Sequence, residues 1–209
     1  LYTAKAKLYH EASAAVRNSI AAVHQLPAAE SAKAEAEAAR LCALARNTLR
    51  AGTVAAPTHL PGFQMLGLAE AAAGDLQAAR KAFQNGIWAA PMEGPQAAYI
   101  WHAWALLEEG AGDVEAARTH MRHGARADPA NPVIIASWAE LEGRLGEFAD
   151  SCRLYENAIC LRPKSERLWL GYERARERMG ADAARLPPPA PIARALQART
   201  AARARGISP

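Results

Sequence analysis

Residues 104–129 read WALLEEGAGDVEAARTHMRHGARADP, and residues 66–91 (LGLAEAAAGDLQAARKAFQNGIWAAP) and 138–163 (WAELEGRLGEFADSCRLYENAICLRP) follow the same scheme. The three align on Gly74-Asp75, Gly112-Asp113 and Gly146-Glu147. Eight residues before each glycine stands a bulky side chain (Leu66, Trp104, Trp138), and four before it an acid (Glu70, Glu108, Glu142). Five residues after it comes a small one (Ala79, Ala117, Ser151), and nine after it a large one (Phe83, Met121, Tyr155). Twelve after it is small again (Gly86, Gly124, Ala158), and seventeen after it is proline (Pro91, Pro129, Pro163). Gly112 and Gly146 are 34 residues apart, Gly74 and Gly112 are 38. The extra four residues fall at Met92-Glu93-Gly94-Pro95, between elements, where an insertion costs little. Self-similarity at such a period is the mark of a repeat architecture.

Each repeat reads as a helical hairpin. The first helix stops at its glycine, which enters the left-handed conformation without a Cβ penalty. Asp75, Asp113 or Glu147 then opens the second helix, where negative charge suits the dipole. Proline stops that helix because it lacks an N–H and clashes with the preceding turn. Small residues let the helices approach, and bulky ones fill the space between hairpins. One hairpin cannot bury its apolar face alone, whereas stacked hairpins can, so the expected fold is an all-α solenoid of antiparallel helix pairs.

The period continues outward less cleanly. Trp169 and Tyr172 stand where Trp101 and Trp104 stand and Gly180 where Gly146 does, but Arg176 replaces the acid, as in a terminal repeat. Upstream, Ala45-Arg46, Leu49, Gly52 and Pro57 repeat a second helix, with a poorly matching partner over 31–40. The expected organisation is an N-terminal amphipathic helix in 1–28 (stopped before Pro27), a degenerate repeat in 29–60, three good repeats and a terminal half repeat in 61–180, and a Pro-rich linker with a basic tail in 181–209.

Composition agrees with helices. Alanine supplies 53 of the 209 residues, while Val and Ile together number 13, which argues against a β-rich fold. No uninterrupted apolar stretch is long enough for a transmembrane helix, so membrane insertion is not expected. Cys42, Cys152 and Cys160 form an odd set without CxxC spacing; they fit a reducing compartment, and Cys152 and Cys160 read as small buried residues. Leu1 is read as the start of a processed product or a fragment, which leaves room for a mitochondrial or chloroplast origin after loss of a transit peptide.

These residues resemble the tetratricopeptide superfamily and, more closely, its half-a-TPR (HAT) branch. The tetratricopeptide signature is seen in Leu66-Gly67, Ala79, Phe83 and Pro91. The HAT flavour is seen in Trp101, Trp104 and Glu108, in Trp138 and Glu142, in Trp169 and Tyr172, and in the pairs Ala79-Arg80 and Ala117-Arg118. Ile135, Cys152 and Arg176 depart from the pattern. HAT proteins are associated with RNA metabolism, among them crooked-neck-like splicing factors, cleavage-stimulation factors and organellar transcript-processing proteins. The resemblance therefore implies a ribonucleoprotein role, although a fold does not fix a function.

Chemistry-bearing residues read mostly as structural. The Trp and Tyr positions are packing positions rather than base-stacking platforms. Glu108 and Glu142 read as partners of an Arg or an N–H of their own hairpin rather than as catalytic carboxylates. His120 and His123, with His102 on the partner helix, lack the HExxH pattern and a matching Cys cluster, so no metal is expected and they read as solvated or capping. With no Gly-rich phosphate loop, GxSxG elbow or Ser-His-Asp order, the chain reads as non-enzymatic and free of cofactors.

Basic residues carry the candidate contacts. Arg118, Arg122 and Arg126 stand four apart along one second helix, beside phosphates or as a solvated face with acids such as Glu115. Arg174, Arg176 and Arg178 alternate with Glu173 and Glu177 and read as a salt-bridged surface. The formal charge of +4 is concentrated: residues 1–180 carry 20 basic and 20 acidic side chains, whereas Arg185, Arg194, Arg199, Arg203 and Arg205 face Asp182 alone in 181–209. After the stiff linker 186–191, residues 192–205 read as a short helix that folds against RNA, an acidic protein surface or the solenoid itself. The expectation is a non-enzymatic scaffold subunit of an RNA-containing assembly, with protein subunits and single-stranded or ribosomal RNA as partners. Its concave face, lined by first helices, is expected to hold a partner peptide or strand, and its basic tail to anchor to phosphate or an acidic neighbour. The alternative is a pure protein–protein adaptor.

Overall fold

The glycine stops fall where the repeat places them. A computed structural model describes the backbone at residues 28–89 and 94–204, with side chains at 36–89 and 94–202. Its helices are α1 (Ala28–Ala55), α2 (Leu60–Ala72), α3 (Leu76–Ala89), α4 (Pro95–Ala111), α5 (Val114–Ala127), α6 (Pro132–Leu145), α7 (Phe148–Leu161) and α8 (Glu166–Met179). A 3-10 turn, Gly180–Ala184, and α9 (Ala190–Ala204) follow. Gly112 and Gly146 close α4 and α6 at φ of 86° and 87°, the region where any other residue would be strained. Asp75 and Asp113 cap the next helices by accepting from Ala78 N and Ala116 N at 2.9 and 3.0 Å. Glu147 makes no such bond and contributes charge alone.

The hairpins α2–α3, α4–α5 and α6–α7 stack in order, giving an all-α solenoid. Consecutive first helices (α2, α4, α6, α8) approach one another more closely than consecutive second helices do, so the array curves with the first helices inside. Phe83 and Met121 are fully buried at the large position of the second helix, and Tyr155 nearly so. Close approach is built in: a Cβ at Gly67 would overlap the Phe83 ring, and one at Gly171 the Tyr155 ring.

The N-terminal end differs from the expectation, and the C-terminal end takes one of the expected outcomes. Residues 28–55 form one uninterrupted helix rather than a hairpin with a first helix over 31–40. The glycine that stops α4 and α6 has Arg40 at its equivalent position, so nothing ends the helix there. The N-terminal amphipathic helix expected in 1–28 lies outside the described residues, except for its last position, Ala28. At the other end, the tail helix α9 folds back onto α8. Ile192 is buried in the core formed with Ile135, Tyr155, Trp169 and Tyr172, with Ala195 and Leu196 packed beside it. The tail thus supplies a second helix for the half repeat, delayed by the Pro-rich linker.

Candidate functional site

The repeated acid does not meet the arginine of its own hairpin, as expected, but that of the preceding one. Arg80 of α3 donates from Nε and Nη2 to the carboxylate of Glu108 on α4, at 2.8 and 2.6 Å. Arg118 of α5 reaches Glu142 of α6 in the same way, at 3.1 and 2.8 Å, and also bonds Glu115. The indoles of Trp104 and Trp138 donate to the same two glutamates. The Leu66 side chain has no N–H to offer Glu70, and there two arginines, Arg46 and Arg50, share the acid. Arg80, helped by Trp104, holds the Glu108 carboxyl below its usual range despite burial. Glu142, with Glu115, raises Arg118 further above its ordinary value. These carboxylates are structural joints between hairpins.

The ladder ends where the repeat pattern breaks. Cys152 stands in the place of Arg118, and burial pushes its thiol up to about 11. Arg176 stands in the place of the acid and donates to Ala183 O and Leu186 O, which draws the chain leading to α9 onto the end of the array. Arg199 of α9 then grips Glu166 at 2.6 Å and Glu173 at 3.4 Å while lying over the Trp169 ring.

The histidines are neither solvated nor capping. His120 stacks on Trp104 at 4.3 Å and His123 on Trp101 at 4.7 Å, and the two indoles stack on each other at 5.7 Å. Burial lowers the pKa of both His102 and His120. Among the described residues, no group of three or more His, Cys, Asp or Glu side chains is placed to hold a metal ion. Cys152 is buried as expected, but Cys160 is exposed, at the repeat position of Trp88 and Arg126.

The foreseen basic contacts divide. Arg118 and Arg199 are engaged with internal carboxylates. Arg122, Arg126 and Arg194 are exposed and form no ion pair among the described residues. Arg203 lies in α9 with its side chain outside the described set, and Arg205 lies outside the described residues.

The concave face lined by first helices, expected to hold a partner peptide or strand, acquires named residues only in the structure. Leu68, Tyr99, Leu106, Val133 and Leu170 all project from first helices, each between 38 and 48% exposed. Contacts between first helices run along the same face: Gln64 to Tyr99 O, Arg144 to Glu109 and Arg167 to Glu140. At its C-terminal end a cavity of about 580 Å³ opens between α6 and α8, with Phe148, Ser151 and Tyr155 of α7 behind it. Arg144, Arg167, Arg174 and Arg178 line it together with Glu140 and Glu166. Arg174 and Arg178 are therefore not part of a salt-bridged surface. Their signal was the spacing Arg167, Leu170, Arg174, Arg178, one face of a helix, which the alternation with Glu173 and Glu177 concealed. Trp88, 74% exposed beside Val54 on the outer side, was also missed.

Solved structures share this architecture. MamA matches over 77% of this chain and 90% of its own, with 14% identity and a TM-score of 0.56. TTC0263, a thermophilic TPR protein in Thermus thermophilus, matches over 81% and 94%, with 20% identity and a TM-score of 0.56. The fold is tetratricopeptide-like. A chain of the APC/C hetero-tetramer Cut9–Hcn1 is matched over 30% of its length by 74% of this chain, with 12% identity and a TM-score of 0.53. No family model and no curated protein matches the sequence. At these identities the likeness carries the tetratricopeptide-like fold, while the narrower HAT resemblance rests on the Trp, Glu and Arg positions of the sequence.

Proposed function

We propose that the chain is a non-enzymatic helical-repeat scaffold that holds an extended segment of a protein partner along its first helices. The observation that carries this reading is the recurrence of exposed apolar side chains at matching repeat positions on that face: Leu68 with Leu106, and Tyr99 with Val133. Exposed apolar groups aligned along a curved array form a continuous surface that a partner can desolvate.

Membership of an RNA-containing assembly is the second reading. Its support is that Arg122, Arg126 and Arg194 remain exposed without an ion pair among the described residues, available to phosphate. Against direct RNA contact stands the engagement of Arg118 and Arg199 with internal carboxylates.

One experiment separates the two. The wild type and a Leu68→Asp/Leu106→Asp variant are used as baits in the native source, with and without ribonuclease. The protein reading expects a partner set retained by the wild type, lost by the variant and indifferent to ribonuclease. Retention by both baits overturns it, and collapse of the set on ribonuclease treatment selects the RNA reading.

A further inference from the structure

The inner face changes chemistry along its length. At one repeat position the residues run Leu68, Leu106, Glu140, Arg174; at a second, Pro61, Tyr99, Val133, Arg167; at a third, Ala72, Gly110, Arg144, Arg178. Each row begins apolar or small and ends in arginine on α8, where the cavity opens. Inside the cavity the charges are unequally matched. Arg167 is paired with Glu140, Arg144 with Glu109 beyond the rim, and Glu166 is held by Arg199. Arg174 and Arg178 form no ion pair among the described residues and stand one helical turn apart at the mouth.

Tyr155 gives the site a polar base. Its ring fits into the space that Gly171 leaves, and burial pushes the phenol up to about 12. Arg144, Arg167 and Arg174 line the same cavity as this phenol; their charges oppose the shift, and that of Glu140 adds to it. The rest of the lining, Ala139, Gly143, Leu170 and Ala175 among it, is small or apolar.

Resting on the reading of this face as a peptide groove, we infer that the cavity between α6 and α8 receives the carboxylates of an acidic segment of the partner protein. The apolar side chains of that segment lie along Leu106, Tyr99 and Leu68. Planar guanidiniums match carboxylates in bidentate geometry. A side chain such as Glu would place its methylenes on the apolar lining and its charge between Arg174 and Arg178. A nucleic-acid strand fits less well, because Glu140 and Glu166 interrupt the positive field that a continuous phosphate chain would follow. The ring faces of Trp101, Trp104 and Trp169 are also taken by His120, His123 and Arg199 rather than free for bases.

The test is selection of a random 12-residue peptide library against the full chain, followed by affinity measurement of selected clones. Arg174→Glu/Arg178→Glu is the charge variant and Leu106→Asp the groove variant; helicity of both is checked by circular dichroism. The expected result is enrichment of Asp and Glu toward one end of apolar peptides. Affinity should then fall about tenfold or more on the charge variant and with rising salt. If a variant loses helicity, Arg174→Gln in its place gives the same reading through loss of the acidic preference alone. Selected peptides that depend on Leu106 but show no acidic preference and no response at Arg174 overturn the cavity assignment and leave the groove standing. No enrichment over an unrelated folded control overturns both. Single-stranded RNA retained by the wild type and released by the charge variant, with acidic peptides ignored, overturns the assignment to a peptide carboxylate.

Discussion

Arg80 on α3 and Glu108 on α4 lock consecutive hairpins through two parallel hydrogen bonds of 2.8 and 2.6 Å. Glu108 is almost fully buried, whereas Arg80 remains in part reachable by water. The pair is thus a joint, not an ornament of the surface: among the described residues the carboxylate forms no ion pair with another arginine or lysine, and it depends on Arg80 to be tolerated inside.

Arg80→Ala leaves that carboxylate with the Trp104 indole alone. The expected loss is about 2 kcal/mol, below the full cost of a stranded buried charge because solvent enters beside the shortened side chain. Urea titration reads it as a lower midpoint at unchanged slope. Arg122→Ala, at an exposed position without an ion pair among the described residues, should lie within about 0.5 kcal/mol of the wild type. Equal midpoints for the two variants would show that the joint contributes nothing.

Acid should weaken the chain in two stages. Burial lowers the pKa of His102 and His120 in the folded state, so the unfolded chain binds protons first. Their contribution is whole above the ordinary imidazole value of 6.5 and declines as pH falls through it toward the folded value. Glu108 and Asp113, facing His120, oppose the shift, and His123 adds to it. The Glu108 carboxyl is held below its ordinary value of 4.5, so its contribution is present above that value and vanishes as pH falls through the folded value. Urea midpoints from pH 8 to pH 3 should show both declines, with the first reduced in His120→Gln. A flat profile between pH 7 and 5 contradicts the first stage.

Gly171→Ala and Gly110→Ala should move stability in opposite directions. The first would drive a methyl into the Tyr155 ring and cost about 1–3 kcal/mol. The second has open space at its Cβ and an ordinary helical backbone, and should gain about 0.5–1 kcal/mol. Thermal unfolding followed by circular dichroism orders the two, and the same sign for both would be inconsistent with the packing described.

Removal of residues 190–209 should unseat the C-terminal end. Trp169 would lose Arg199, and its surroundings would lose Ile192. A red shift in tryptophan emission is expected, together with faster proteolysis within α8. In the full-length chain, Ile192→Ala should cost about 2 kcal/mol. Unchanged emission and midpoint after truncation would mean that α9 does not cap the array.

Much of the fold was legible because its signals act locally. Gly112 and Gly146 stop helices through their own φ, Asp113 caps through its own next turn, and Pro132 opens α6 at its first position. The same reasoning accounts for α1: the period carried upstream through Ala45-Arg46, Leu49, Gly52 and Pro57 suggests a hairpin, but Arg40 in the place of the stopping glycine lets the helix continue. The site was less legible. Leu68 and Leu106 look like any apolar residues of an amphipathic helix, and only the curvature of the array leaves them uncovered. Arg174 and Arg178 were hidden by their acidic neighbours in sequence, which a helix turns to other faces.

The sequence by itself determined the period, the helix boundaries at Gly74, Gly112 and Gly146 and before Pro129 and Pro163, and the placement of net positive charge in the tail. Those features follow from backbone conformations that individual residues impose and from a spacing that makes stacked hairpins the means of burying the apolar positions. Only the tertiary structure decided which charges remain available. Arg80 and Glu108 are 28 residues apart, Arg118 and Glu142 are 24, and Arg199 and Glu166 are 33. Such pairings depend on how hairpins stack and where the tail returns. The basic tail is accordingly drawn in part onto the solenoid, and the arginines left facing a cavity are those of α8, because α8 is where the rows of the inner face end.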